Sequence, residues 1–146
     1  MGDILQEAEL VTILNGDLKH EWQHLKFYLH HASMLIGLHA EEYSEVFMKQ
    51  AAGEMNHVRQ FSDMIIGLGG VPTHENLPFN SFRHVEEALK YALHLEQQVV
   101  ANYSTRIGQA DLVGGVNGKW LELFLERQLE DSRTDVDRLK RLLGEI

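Results

Sequence analysis

The chain contains no cysteine, which excludes disulfides, thiolate metal sites and thiol redox chemistry. Proline occurs only at Pro72 and Pro78, both within the stretch "GLGGVPTHENLPFNSF", so the rest of the chain is free to form long helices. An apolar run of the ~18 residues needed to cross a bilayer is missing, and no membrane partner is expected. The N-terminus, "MGDILQEAEL", has neither a basic start nor an apolar core. A secretory signal is therefore not expected, and a cytoplasmic location is. Basic residues are few, 13 Lys and Arg against 22 Asp and Glu, for a net charge of −9. They are scattered singly, so phosphate backbones are repelled and nucleic acid is not an expected partner. Divalent cations suit this charge better.

What is present is enough chain, 146 residues, for a single domain over 1–146 with one sizeable core. Apolar residues recur at helical rather than alternating spacing. They predict helix 1 over 5–38, helix 2 over 41–67, helix 3 over 82–110 and helix 4 over 117–143. "GLHAEE" separates the first pair and "GGVNG" the second, so each pair should form antiparallel neighbours. The middle link has about a dozen residues and reaches roughly 40 Å when extended. That is the length of a helix of about 27 residues. The expected fold is an all-α four-helix bundle with one long crossover between helices 2 and 3; a plain up-down bundle with a loose loop is the alternative.

The apolar stripes have polar interruptions. On helix 1 the stripe is Leu14, Leu18, Trp22, Leu25, Leu29, Ala32 and Ile36, with Glu21 and Tyr28 pointing into it. Helix 2, around "AAGEMNHVRQF", puts Glu54 at mid-stripe and His57 on its flank. Glu96 sits at the centre of the helix 3 stripe. On helix 4, Gln128 and Ser132 fall within the stripe, Asp131 lies at its edge and Asp135 slightly further in, while Glu130 points away. Glu21, Glu54, Glu96 and Asp131 all fall near the midpoints of their helices. A buried unpaired carboxylate costs several kcal/mol or becomes neutral. Four acids and an imidazole in one layer repel each other unless cations turn them into ligands. Carboxylates with imidazole and no thiolate suit iron or manganese.

These residues resemble the ferritin-like di-iron proteins, and within them the ferritins and bacterioferritins, over nearly the whole chain. The family motif is a Glu from each of two helices with a Glu-x-x-His from another. The resemblance implies Glu21, in "GDLKHEWQHLKFYLHH", as a terminal iron ligand. It implies Glu54 and His57, in "GEMNH", as bridging carboxylate and imidazole ligand, and Glu96, in "LHLEQQ", as a ligand from helix 3. "LERQLEDSRTDVDRL" resembles the fourth helix and places Gln128 and Asp131 at the site. Glu21 and His57 would hold one iron, Glu96 with Asp131 the other, and Gln128 would orient a water or bind weakly. Tyr28 matches a tyrosine that the family places beside the irons, where it supplies an extra electron. Met55 stands where bacterioferritins bind haem between subunits; it faces outward, and packing is favoured over haem.

The chain also departs from the family. Gln128-x-x-Asp131 replaces the second Glu-x-x-His of bacterioferritins, which implies a more open second iron position. Gly53 stands where many ferritins carry another Glu, so an accessory third iron site is not expected. "RLLGEI" ends the sequence without the short fifth helix of large cages, so a 24-subunit cage is not expected, and the expected homo-oligomer is a dimer or larger. Glu21-x-x-His24 repeats the motif on helix 1, but His24 is read as a surface or interface residue, as are His30, His31 and His94. The implied activity is oxidation of Fe(II) by dioxygen or peroxide for iron binding, storage or detoxification. A di-iron or di-manganese oxidoreductase without storage, or a metal-stabilised structural bundle, are the alternatives.

Overall fold

A computed structural model describes residues 7–145. The expected start of helix 1, at residue 5, lies outside them. Four helices follow one another: α1 (Glu7–Met34), α2 (Ala40–Gly67), α3 (Val85–Val113) and α4 (Gly115–Leu142). α1 packs along α2 and α3 along α4, and α1 also touches α3.

The breaks between helices are sharper than spacing predicts. α1 stops at Met34 rather than 38, because Ile36 donates its backbone N–H to Arg83 O and Gly37 adopts a φ of 107°. A left-handed φ of this kind suits glycine, which has no Cβ to clash. α3 begins at Val85 rather than 82 because Phe82 N–H donates to His31 Nε2, tying the chain to the end of α1, and His84 is extended. Between α3 and α4 there is no loop. Gly114 and Gly115, with φ of 69° and 64°, turn the chain in two residues.

The crossover follows α1 along its length. Asn15 bonds Val71 O and Thr73 N, and Trp22 Nε1 donates to Thr73 O. Gln23 donates to Pro78 O and Lys26 to Asn76, while His30 pairs with Ser81. From Asn15 with Val71 to His30 with Ser81 the numbering rises on both sides, so the link travels in the direction of α1 and starts α3 beside the start of α2. α2 and α3 are therefore parallel, as the long crossover requires. Four of the link's backbone groups, Val71 O, Thr73 N, Thr73 O and Pro78 O, are answered by these bonds to α1.

Two apolar clusters fill the interior. One contains Leu14, Leu18, Phe61, Ile65, Tyr103 and Leu125; the other contains Phe27, Phe47, Leu89, Ala92, Val136 and Leu139. Between them lies a polar layer in which Glu21, His24, Glu54, His57, Glu96, Gln128 and Ser132 are all buried. That layer positions the site.

The inward face of α1 is rotated from the expected stripe. Leu29 and Ile36 are about half exposed, at 51% and 46%, while Phe27 and His31 are fully buried. Leu14, Glu21, Tyr28 and Leu35, seven residues apart, mark the true centre. The reason is physical: a wheel weighted by hydrophobicity is drawn toward Trp22, Leu25 and Leu29, whereas this helix turns its polar residues inward. His31 is thus corrected from the surface to the core, where Nδ1 pairs with Phe27 O and Nε2 receives the Phe82 N–H.

Candidate metal centre

Two three-residue groups meet in the polar layer, and each could hold one ion. Glu21, Glu54 and His57 place one ligand atom apiece within 4.8 Å of one another, and so do His24, Glu54 and Glu96. All five side chains are buried. Glu54 belongs to both groups, and its two oxygens divide between them. Oε2 lies 3.3 Å from His57 Nδ1, and Oε1 lies 3.8 Å from His24 Nδ1. Glu21 Oε2 is 3.5 Å from His57 Nδ1, and Glu96 Oε1 is 3.3 Å from His24 Nδ1. A carboxylate with one oxygen on each side is the arrangement that bridges two cations.

Helical spacing builds this pair twice. Residues three apart share a face, so Glu21 with His24 on α1 and Glu54 with His57 on α2 each present a carboxylate beside an imidazole. α3 adds Glu96, whose Oε1 accepts a hydrogen bond from the Tyr28 hydroxyl at 3.0 Å.

The electrostatics are those of a cation site. Burial pulls His57 down, but Glu21 and Glu54 outweigh it and push it up to about 12. His24 is likewise drawn down by burial and then raised well above the ordinary imidazole value by Glu96 and Glu54. Burial, then the Glu54 charge, raises Glu21. Burial also pushes Glu54 up, but contact with Glu21, His24 and His57 outweighs it and holds Glu54 well below the usual carboxylate range. Glu96 is pushed up to about 7, first by burial and then by Glu54. Burial and the nearby Glu96 carboxylate raise Tyr28 well above the ordinary phenol value, so it stays protonated.

The donors fit a metal. Both oxygens of Glu21, Oε2 of Glu96 and Nε2 of His24 are buried without a hydrogen-bond partner. Buried polar atoms are nearly always satisfied, so this many orphans in one layer indicates missing ligands. Coordinated cations would satisfy the carboxylate oxygens, and the donor set is oxygen and imidazole without sulfur.

The remaining sequence candidates lie elsewhere in or near the layer. Asp131, with its side chain 63% exposed, belongs to neither group; its Oδ2 sits 3.4 Å from His57 Nε2, on the far side of that ring. Gln128 is buried and donates from Nε2 to Gln60 Oε1 at 2.7 Å, tying α4 to α2. Met55 is exposed on the outer face of α2. Asp135 is half-buried and pushed up to about 6, by burial first and then by Glu54. His24 is the residue that sequence reasoning put on the surface; it is 1% exposed. The signal for it was present, since Glu21-x-x-His24 has the same spacing as Glu54-x-x-His57.

A four-helix bundle with a carboxylate and imidazole layer and one lengthwise crossover defines a class of metal-binding proteins. The family model described as a ferritin-like domain matches residues 11–146, and the chain belongs to that family. No curated protein sequence matches it. Among solved structures, it is similar to a ferritin-like, diiron-carboxylate protein from Bacillus anthracis str. Ames. That structure is 29% identical, with a TM-score of 0.86 over 94% of this chain and 96% of the other. Rhodobacter capsulatus bacterioferritin has the same fold at 20% identity, with a TM-score of 0.82 over 94% of this chain and 84% of the other. BfrA from M. tuberculosis shares the fold at 19% identity, with a TM-score of 0.87 over 96% of this chain and 86% of the other.

Proposed function

We propose that this chain binds two iron ions side by side and oxidises Fe(II) with dioxygen or peroxide, in the service of iron storage or detoxification. The observation that carries the reading is Glu54, buried, with one oxygen in each of two ligand groups. The similarity to a diiron-carboxylate protein of Bacillus anthracis supports iron as the metal. Paired ferrous ions supply two electrons to one oxidant molecule and become ferric.

The residues of the chain have separable tasks. Glu21 and His57 hold one ion, His24 and Glu96 the other, and Glu54 sets their spacing. Hard carboxylate oxygens stabilise ferric over ferrous iron and so favour the oxidation. Asp131 accepts from the outer nitrogen of His57 and fixes the ring so that Nδ1 faces the metal. The Tyr28 hydroxyl orients Glu96 and is placed to give up an electron beside the centre. Gln128 braces α4 against α2. Met55 belongs to a packing surface between subunits of a homo-oligomer, dimer or larger.

The test is to add Fe(II) in air to the metal-free protein and count ferric iron formed per chain. Soluble uptake far beyond two irons supports storage. Oxidation no faster than in buffer alone would sink the proposal. A second reading is favoured by His24: a second imidazole suits a resident di-iron or di-manganese cofactor in an oxidoreductase that does not store iron. Uptake that is fast but ends near two per chain selects that reading.

A further inference from the structure

Glycine in a helix interior is less favourable than alanine, so a glycine at the middle of α2 needs a reason. Gly53 supplies none of the usual ones. Its φ is not positive, and a Cβ added to it meets nothing within 4 Å, so neither a turn nor close packing requires it. What it borders is more telling. A cavity of about 230 Å³ opens between α2 and α4, with Gly53 and Thr134 in its walls beside Asp131 and Asp135. Glu54 and His57, the buried ligands, also line it.

We propose that Gly53 keeps open the mouth through which cations reach the metal centre, the missing side chain being what leaves the passage clear. This rests on the di-metal reading above. α2 and α4 meet across a looser seam than the α1–α2 and α3–α4 pairs, and the passage lies in that seam. Three carboxylates, Glu54, Asp131 and Asp135, and no Lys or Arg line it, which favours positive ions over anions. Gln50 also lines it, and its Nε2 is buried there without a hydrogen-bond partner. A Cβ at 53 meets no protein atom, and Gly53 lines the cavity, so a bulky side chain there can reach across the mouth. Access then changes without any ligand being altered.

The test is stopped-flow uptake of Co(II) by the metal-free protein, followed by its visible absorption. Gly53→Leu should slow loading at least tenfold while leaving the final spectrum and the number of ions bound unchanged. Thr134→Met, on the opposite wall, should slow it too, and it decides the matter if Gly53→Leu fails to fold. Gly108→Leu, another mid-helix glycine with open space around it, should load at the wild-type rate. Wild-type loading rates in the folded Gly53→Leu protein overturn the mouth, as does loss of bound cobalt at equilibrium, which would mean the site itself was disturbed. If the unaltered protein binds no cobalt, the di-metal reading falls and this one with it.

Discussion

His24 of α1 and Glu96 of α3 face each other inside the bundle, with Nδ1 3.3 Å from Oε1 and neither side chain more than 1% exposed. The pair completes the second half of the metal layer from a helix that already contributes Glu21. α4 contributes to neither ligand group; its Asp131 reaches only the outer nitrogen of His57. The centre is thus built from α1, α2 and α3, and its looser side lies toward α4.

Removing that imidazole should remove one ion. His24→Ala is expected to bind about one Co(II) per chain where the unaltered protein binds about two, as one of two sites loses its only nitrogen ligand. Equilibrium dialysis with metal analysis measures it. Retention of two ions would show that His24 is no ligand.

Glu54 is shared, so its loss should be felt at both positions. Glu54→Ala is expected to lower the Fe(II) oxidation rate at least ~100-fold, toward the rate in buffer, because neither ion keeps its bridge. Stopped-flow absorbance of ferric products reads this directly. Unchanged kinetics would place the chemistry elsewhere.

On the proposed reading, Asp131 acts on a ligand rather than on metal. Asp131→Asn should weaken metal affinity by roughly 10- to 100-fold, the usual effect of losing a partner that orients a ligating imidazole, with two ions still bound at saturation. A lower saturating number would make Asp131 a ligand itself.

The metal-free protein should be more stable at pH 5 than at pH 8. Burial holds Asp17 up to about 6 even against Arg106, and Glu96 stands near 7 and Asp135 near 6. Each binds its proton more tightly folded than unfolded, so stability is lost as pH rises from ordinary carboxylate values through these. For Asp17 alone the loss is on the order of 3 kcal/mol. His24 and His57, also raised, favour the fold fully below about 6.5 and lose that contribution progressively above it, for His57 until about pH 12. Glu54 opposes this trend only in acid below pH 5, since its folded value is depressed. Bound metal replaces these protons and should reverse the dependence. Urea midpoints at the two pH values, with and without metal, give the comparison; a higher metal-free midpoint at pH 8 contradicts it.

Gly70 is where the crossover leaves α2, and here close approach does require glycine. An added Cβ would overlap Val11 Cγ1 and stand 3.1 Å from Ile65 Cγ2. Gly70→Ala should cost about 1–3 kcal/mol through overpacking, seen as a lower melting temperature. Gly53→Ala, with open space at its Cβ, should instead stabilise slightly. Equal effects of the two would undo the steric argument.

Some of this could be read from the chain before any coordinates. Confinement of both prolines to one stretch placed the crossover, and the interrupted stripes of α2 and α3 put Glu54 and Glu96 inward. On those two helices leucine, valine and phenylalanine surround the acid evenly, so hydrophobicity finds the face. On α1 it does not, because Trp22, Leu25 and Leu29 lie to one side of the residues that are buried. His24 and His31 were misplaced for that reason, as their polarity counted against the positions they hold.

The sequence by itself determined four helices, a lengthwise link between the second and third, and acids near the middle of each helix, because spacing, proline placement and chain length are local or additive properties. Only the tertiary structure decided that His24 turns inward and that Asp131 stays half in solvent. The rotation of a helix about its axis is set by its packing partners, and for α1 those are α2, α3 and the crossover strapped along its length. A polar layer shared among four helices is stable only when all its members are present together, and no single helix carries that information.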